Sequence, residues 1–344
     1  MPTARSGPEA TRPRAATILE VGRAAGVAPS TVSRSFTNPD RVNVVTREHV
    51  LAVAERLGYR PPRDGGRPTT QRRSATVALV LPDIANPYFS GFIRGAEREA
   101  AAAAYTLVVA DSQESPHAEE RIVSKLTTTT DGLLLVSSRL PDRAVAAAAR
   151  QTPVVLLGRQ VRGVASVCPD QASGTRQIVD HLASYGHREI AFCAGPPTSW
   201  LGGQRWLGIR SAAKALGISA RRIGPFPPSV EGGLVAADAA MVDGATAIVA
   251  HNDLMALGIL RRLAQRGVPV PEAVSVVGFD DIFGADFCQP SLTTLGHRTE
   301  HAGRSAVDLL TSLIGDDLAP VSEIVVPTQL VMRDSTGPAA GPRS

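Results

Sequence analysis

Residues 17–34 read TILEVGRAAGVAPSTVSR. Ile18, Val21, Ala24 and Ala25 recur at the spacing that buries one face of a helix. Gly26 follows, where a tight turn between two helices needs a residue free to take positive φ. Val27 fills the gap, and Pro29 suits the first turn of a second helix, where its missing N–H costs nothing. That helix turns Val32 inward and Ser30, Thr31, Ser33 and Arg34 outward. The pattern is a helix-turn-helix, and short hydroxyls with one Arg are chemistry that fits a DNA major groove. An ordinary helical hairpin with a solvated face is the plain alternative. The basic surroundings and the large unit that follows favour the first reading.

The charge is unevenly placed. The 344-residue chain has a net charge of +4, yet residues 1–73 hold thirteen Arg against six acidic residues. A basic end on a slightly acidic body suggests a polyanion at that end. Three cysteines, Cys168, Cys193 and Cys288, lie far apart without a CxxC pair, which fits a reducing compartment. The first sixteen residues carry no apolar signal core, and no stretch of about 18 apolar residues exists, so a cytoplasmic protein without a membrane partner is expected.

Further along, Asn43 stands as N-cap of a third helix with Val50, Leu51, Val53, Ala54 and Leu57 on one face. Gly58 is read as ending that helix, and Tyr59 can fold back on its core. Residues 60–74, RPPRDGGRPTTQRRS, contain no large apolar residue and read as a linker. From ATVALVL (75–81) the chain alternates buried strands (106–111, 132–137, 153–158) with helices. A second set begins near Gln171, with strands at 189–195, 222–226, 246–251 and 274–279 and a last helix at 300–314. The expected fold class is α/β: a small all-α helix-turn-helix headpiece followed by two successive lobes of parallel sheet. Ligands of such sheets bind at the carboxyl ends of the strands, and two lobes can face one another across a cleft.

With these segments in place, the chain resembles the LacI/GalR family of transcriptional regulators. The resemblance is carried, in family order, by the head motif, VTREHVLAVAERLGYRP, VALVLPDIANPYF, DGLLLVSS, QRWLGIRSA, HNDLMALGIL, VSVVGFDDI, PSLTTL and QLVMRDS. It implies an arm at 1–16, a headpiece at 17–61, a hinge at 62–74, a two-lobed periplasmic-binding-protein-like domain at 75–335 with crossovers near 170, 292 and 325, and a tail at 336–344. The arm and the Pro/Gly-rich tail are expected to lack a core of their own. The implied partners are operator DNA, a small effector such as a sugar or sugar derivative, and a second copy of the chain. No leucine-heptad tail follows Asp334, which favours a dimer over a tetramer.

The resemblance also assigns residues. Arg34 would contact bases, Pro29 and Ser30 occupy the two variable positions of the recognition helix, and Thr31, Ser33, Thr17, Asn43 and Arg47 would hold phosphates. Helix capping is the alternative role for Thr31 and Ser33. In the cleft, Tyr88, Phe89, Asp111, Arg159, Arg205, Asn252 and Asp280 would contact the effector, while Gly158 replaces a common Asp. Asp281 reads as a turn residue, and Trp200 and Trp206 as packing, with ligand contact the alternative for Trp200. The family's hinge helix is opposed here by Gly65, Gly66 and Pro68, Pro68 replacing a wedging Leu. Arg63, Arg67, Arg72 and Arg73 would then track phosphates or a narrow minor groove instead, with a flexible, solvated linker as the equal alternative.

Two other classes fit the sequence less well. A solute-binding uptake protein shares the two-lobed body but not the head. An enzyme would need a signature such as GxGxxG, GxSxG or HExxH, and none occurs. No cofactor is expected. His297 and His301 stand four apart on what reads as one helix face, but two His without a third ligand do not make a metal site, so no metal is expected.

Overall fold

The computed structural model describes residues 17–37, 42–57, 59, 74–242, 244–315 and 322–340. The arm at 1–16, Gly58 and the hinge up to residue 73, with its glycines, Pro68 and four arginines, lie outside the described residues. The chain divides into a unit ending at Arg72 and a unit beginning at Arg73.

The first unit is three helices: α1 Ile18–Ala25, α2 Pro29–Thr37 and α3 Val44–Arg56. Thr17 and Glu20 form a capping box, the Thr17 hydroxyl accepting from the Glu20 N–H and the Glu20 carboxylate accepting from the Thr17 N–H. Gly26 takes φ +66°, a left-handed turn that a side chain would strain. Val21, Ala25, Val32, Val50, Val53 and Ala54 make the core, with Phe36 and Tyr59 packed at its margin. Ala24 is exposed, so the buried stripe of α1 is narrower than the sequence spacing suggests.

The second unit runs β1 Thr76–Leu81, α4 Tyr88–Ala102, β2 Thr106–Asp111, α5 Pro116–Leu126, β3 Gly132–Val136, α6 Asp142–Ala149, β4 Val154–Leu157 and β5 Ala165–Pro169. It continues α7 Gln171–Ser184, β6 Glu189–Cys193, α8 Trp200–Ala215, β7 Ser219–Ile223, α9 Val230–Val242, β8 Ala247–Ala250, α10 Asp253–Gln265 and β9 Ser275–Phe279. The last elements are β10 Thr293–His297, α11 Thr299–Gly315, β11 Glu323–Val326 and β12 Thr328–Val331.

Two six-stranded sheets result, ordered β11-β5-β4-β3-β1-β2 and β12-β10-β9-β8-β6-β7. All neighbouring strands are parallel except β10 and β12. The strands are continuous apolar runs because both faces are covered: every residue of β3, β4, β8 and β9 is buried. The chain passes between sheets at Asp170, at Arg298 and at Pro327. The middle crossing therefore lies after β10 and not near 292: TTLGH is a fifth strand of the second sheet, and with two Thr, a Gly and a His around one Leu it carries no apolar run to mark it in the sequence. His297 ends that strand while His301 lies in α11, so the two do not share a helix face.

The tail is a second correction. Ser335 and Thr336 are buried, the Gly337 carbonyl accepts from Ser275 and faces His187 Nε2, and the Ala339 N–H donates to the Tyr185 carbonyl. Residues 335–340 close the amino-terminal edge of the second sheet, whatever their Pro/Gly composition suggests. Residues 341–344 lie outside the described residues.

Candidate functional site: a cleft between two lobes

In each sheet the strand order reverses beside the first strand of that lobe, between β1 and β3 and between β6 and β8. Crevices at the carboxyl ends of strands at such points are where open α/β sheets bind ligands. The segments leaving those ends carry Tyr88 after β1, Asp111 at the end of β2, Arg159 after β4, Arg205 on α8, Asn252 after β8 and Asp280 after β9.

The centre of the second lobe's wall is a buried ion pair. Arg205 Nη2 lies 2.9 Å from Asp280 Oδ1, and both side chains are 5% exposed. Arg205 Nη1 donates to the His251 carbonyl, and the guanidinium sits 4.3 Å over the centre of the Phe279 ring. Asp280 takes φ +113°, a conformation rare for a residue with a side chain. Its N–H donates to the Leu295 carbonyl at 2.8 Å, which holds it there. Burial pushes the Asp280 carboxyl up to about 6, against the opposing pull of Arg205. Asp253 is fully buried behind it and accepts from the Thr294 hydroxyl at 2.6 Å and the Ile282 N–H at 2.9 Å. It thereby ties the loop after Asp280 to β10.

The first lobe supplies Tyr88. Its hydroxyl lies 3.1 Å from His297 Nε2 of the second lobe, and its ring meets Phe89 and Phe92 edge-on at 5.1 and 5.2 Å. Burial, reinforced by the Arg205 charge, pushes His297 down to about 4, so the imidazole is neutral at pH 7. Tyr88, Gln171, Arg205, Asp280, His297 and Thr328 are among the residues that line one cavity. The structure thus brings together three expected residues (Tyr88, Arg205 and Asp280) and adds Gln171 and His297. Gln171 opens α7 just after a crossing, and His297 closes β10, whose existence the sequence pattern hides.

The other expected residues are engaged locally. Arg159 donates to the carbonyls of Ser138 and Leu140 and pairs with Asp142 at 2.6 Å. Asn252 caps α10 by accepting from the Met255 N–H and donates to the Pro228 carbonyl. Asp111 accepts from the Gln113 N–H, and Phe89 lies in the first lobe's core. Gly158 has φ +69°, and a side chain there would start 3.1 Å from Leu201 Cδ1 of the second lobe. An Asp at this place would therefore meet Leu201. Asp281 pairs with Arg333 at 2.8 Å as a turn residue, and Trp206 stacks on Phe192 with 14° between planes.

On the first unit, α2 presents Arg34 and Pro29 exposed. Asn43 accepts from the Val45 N–H and caps α3, as Thr17 caps α1. Arg47 is exposed and reaches the Ser35 carbonyl through Nε at 3.4 Å. Thr31 is half-buried, and the side chains of Ser30 and Ser33 lie outside the described residues. Among the described residues no helix is long and apolar enough to cross a membrane, and no cluster of three or more potential metal ligands occurs.

Comparison with known proteins agrees with this architecture. Residues 17–62 match the model of bacterial regulatory proteins of the lacI family, and residues 179–336 match a periplasmic binding protein-like domain. The chain is 32% identical over 330 residues to the HTH-type transcriptional repressor CytR of Escherichia coli K12, covering 94% of this chain and 96% of the relative. The chain belongs to the LacI family of transcriptional regulators. This LacI-family regulator is also 34% identical to the HTH-type transcriptional regulator CelR of Thermobifida fusca over 345 residues, covering 94% and 99% of the two chains. Among solved structures it superposes on a CelR–cellobiose complex with a TM-score of 0.69 at 32% identity, covering 94% of this chain and 100% of that one. A lac repressor dimer bound to operator and the anti-inducer ONPF gives the same TM-score at 27% identity and the same coverage. The family places DNA binding in the headpiece and effector binding in the two-lobed body.

Proposed function

We propose that this regulator is a cytoplasmic, dimeric repressor without enzymatic activity, whose operator affinity is set by a sugar held between the lobes. The observation that carries the sugar reading is the Arg205–Asp280 pair. It is a fixed donor and acceptor buried on one wall of the cleft, beside the Phe279 ring and facing Tyr88. Such an arrangement suits a ring bearing several hydroxyls, each able to accept from a guanidinium and donate to a carboxylate. The cellobiose bound by CelR supports the same class of ligand. Asn252, Asp111, Arg159 and Phe89 complete and support the walls. In the headpiece Arg34 reads a base edge, Pro29 and Ser30 set the choice of sequence, and Thr17, Thr31, Ser33, Asn43 and Arg47 fix the phosphate register.

The test is fluorescence anisotropy on an operator duplex selected from a random pool, titrated with and without ribose, glucose, maltose and cellobiose. At least one sugar is expected to change operator affinity tenfold or more. Arg34→Ala is expected to lose about 1–3 kcal/mol of specific binding while keeping the fold. Equal operator curves for the wild type and Arg34→Ala would refute the head assignment. Four sugars without effect would refute the effector class.

A further inference from the structure

Three consecutive backbone N–H groups follow β9, and each has its own acceptor. Asp280 donates to the Leu295 carbonyl at 2.8 Å, Asp281 to the Thr294 hydroxyl at 3.3 Å and Ile282 to the Asp253 carboxylate at 2.9 Å. The Thr294 hydroxyl in turn donates to the other Asp253 oxygen at 2.6 Å. Asp280 and Asp281 both hold positive φ, at 113° and 52°, a conformation that persists only where the surroundings fix it. Asp253 is central to that fixing. It is fully buried, and its two oxygens are engaged by this turn and by β10. Gly278 makes the room, since a Cβ there would lie 2.0 Å from Asp253 Oδ1.

The turn serves both lobes. Asp280 pairs with Arg205 on the second lobe's wall. Ile282, two residues on, is 6% exposed and joins the hydrophobic cluster of the first lobe, the one that holds Tyr88, Phe89 and Phe92. Ala285, three residues further, is back in the core of the second lobe with Met255 and Ile259 of α10. The helix α10 is divided in the same way, for its Leu254 and Leu257 pack against the first lobe's cluster. Ile282 is therefore an apolar contact that the second lobe sets on the first, held on either side by groups of its own lobe. A turn bonded at three successive N–H groups absorbs little displacement internally, because packed segments shift as units and do not deform continuously. A shift of Asp280 is carried to Ile282.

We propose that Asp253 is a positioning residue for the turn 280–282, and that Ile282 is the contact through which an occupant at Asp280 is felt by the first lobe. The first half stands on the contacts alone. The second rests on the sugar reading above, which supplies the occupant.

Two experiments on the full-length protein test the two halves. Hydrogen exchange read by mass spectrometry without sugar tests the positioning. Asp253→Ala is expected to raise exchange at residues 280–286 at least tenfold and to leave β6, two strands from β9, within about twofold. Asp253→Asn, which keeps one acceptor, should fall between. Unchanged exchange at 280–286 would overturn the positioning role. An equal rise in β6 would overturn it too, because general loosening of the lobe is what a merely structural carboxylate gives. The second experiment measures operator affinity by anisotropy with ribose, glucose, maltose and cellobiose, in the wild type, Ile282→Ala and Ile282→Val. For a sugar that acts on the wild type, Ile282→Ala is expected to bind it within about threefold of the wild-type affinity, yet to lose at least fivefold of its effect on operator affinity. Ile282→Val should keep most of that effect. A full effect in Ile282→Ala, or sugar affinity lost in parallel with the effect, would overturn the coupling role. Four sugars without effect on the wild type would count against the sugar reading and the coupling built on it, and the exchange result would still decide the positioning role.

Discussion

Two arginines reach the carboxyl ends of strands in the two lobes, and they are used differently. Arg159, after β4, is bound to two carbonyls of its own lobe and to Asp142, whose side chain is 73% exposed. Arg205, on α8 after β6, is paired with a carboxylate as buried as itself and lines the cavity shared with Tyr88 and His297. One pairs with a solvated carboxylate and braces a loop. The other holds both charges of its pair away from water, which is costly for stability and suits recognition. The first lobe adds to this the Arg139–Glu114 pair, again within one lobe. The comparison teaches that strand-end position finds the cleft, while the partners of each side chain separate scaffold from site.

The largest expected effect sharpens this contrast. Arg205→Ala leaves Asp280 buried without its partner, and a broken buried pair costs about 3–5 kcal/mol. Arg159→Ala removes a pair whose carboxylate is solvated and the donor to two carbonyls, for about 1–3 kcal/mol. Urea denaturation of both variants checks the order, and a reversed order breaks the comparison.

The lobes should also part in acid. His181 lies on α7, His297 ends β10, and His187 and His251 lie in loops next to β6 and β8 of the same sheet; burial lowers each of them from the usual imidazole value. A histidine lowered in the folded state is neutral in both states above about pH 6.5 and contributes nothing there. As pH falls below that value the unfolded chain takes up protons first, and stability declines until the folded group titrates. For His297, lowered to about 4, the loss by pH 5 is about 2 kcal/mol. Asp280, raised to about 6, works the other way: its protonation favours the folded state between about pH 6 and its ordinary value. Asp253 and Glu119, raised by burial, act in the same direction as Asp280, so the expected fall in melting temperature from pH 7.5 to pH 5 is the loss from four histidines reduced by three carboxyls. His187→Gln, which removes a titrating group that contacts the tail, should reduce that fall.

How far the sequence reached follows the same physics. The long apolar strands and the head motif were legible because each is a dense local signal, as in VALVL and the turn at Gly26. The strands ASVCP, TTLGH and EIVV lie on the outer side of their sheets or beside a crossing, and take their order from neighbours far along the chain. The tail was unreadable for a related reason. What orders it are His181 and His187, about 150 residues earlier, which meet Thr336 and the Gly337 carbonyl. In the cleft, motif position gave Tyr88, Arg205 and Asp280, but it could not tell that Arg159 and Asn252 already have local partners, nor that His297 would meet Tyr88.

A smaller effect tests the contact between lobes. Gly158→Ala forces a left-handed φ on a side chain, at about 1 kcal/mol, and crowds Leu201 Cδ1 at 3.1 Å. A drop of a few degrees in melting temperature is expected, and the added variant Leu201→Ala should recover part of it.

The most direct measurement compares Arg205→Lys with Arg159→Lys in sugar-dependent operator binding. Lys keeps the charge at both sites and removes the planar fork. Arg205→Lys is expected to lose at least tenfold of the sugar-induced change in operator affinity, while Arg159→Lys keeps it within about twofold. Equal losses in both variants, or a loss confined to Arg159→Lys, would contradict the assignment of recognition to the second lobe.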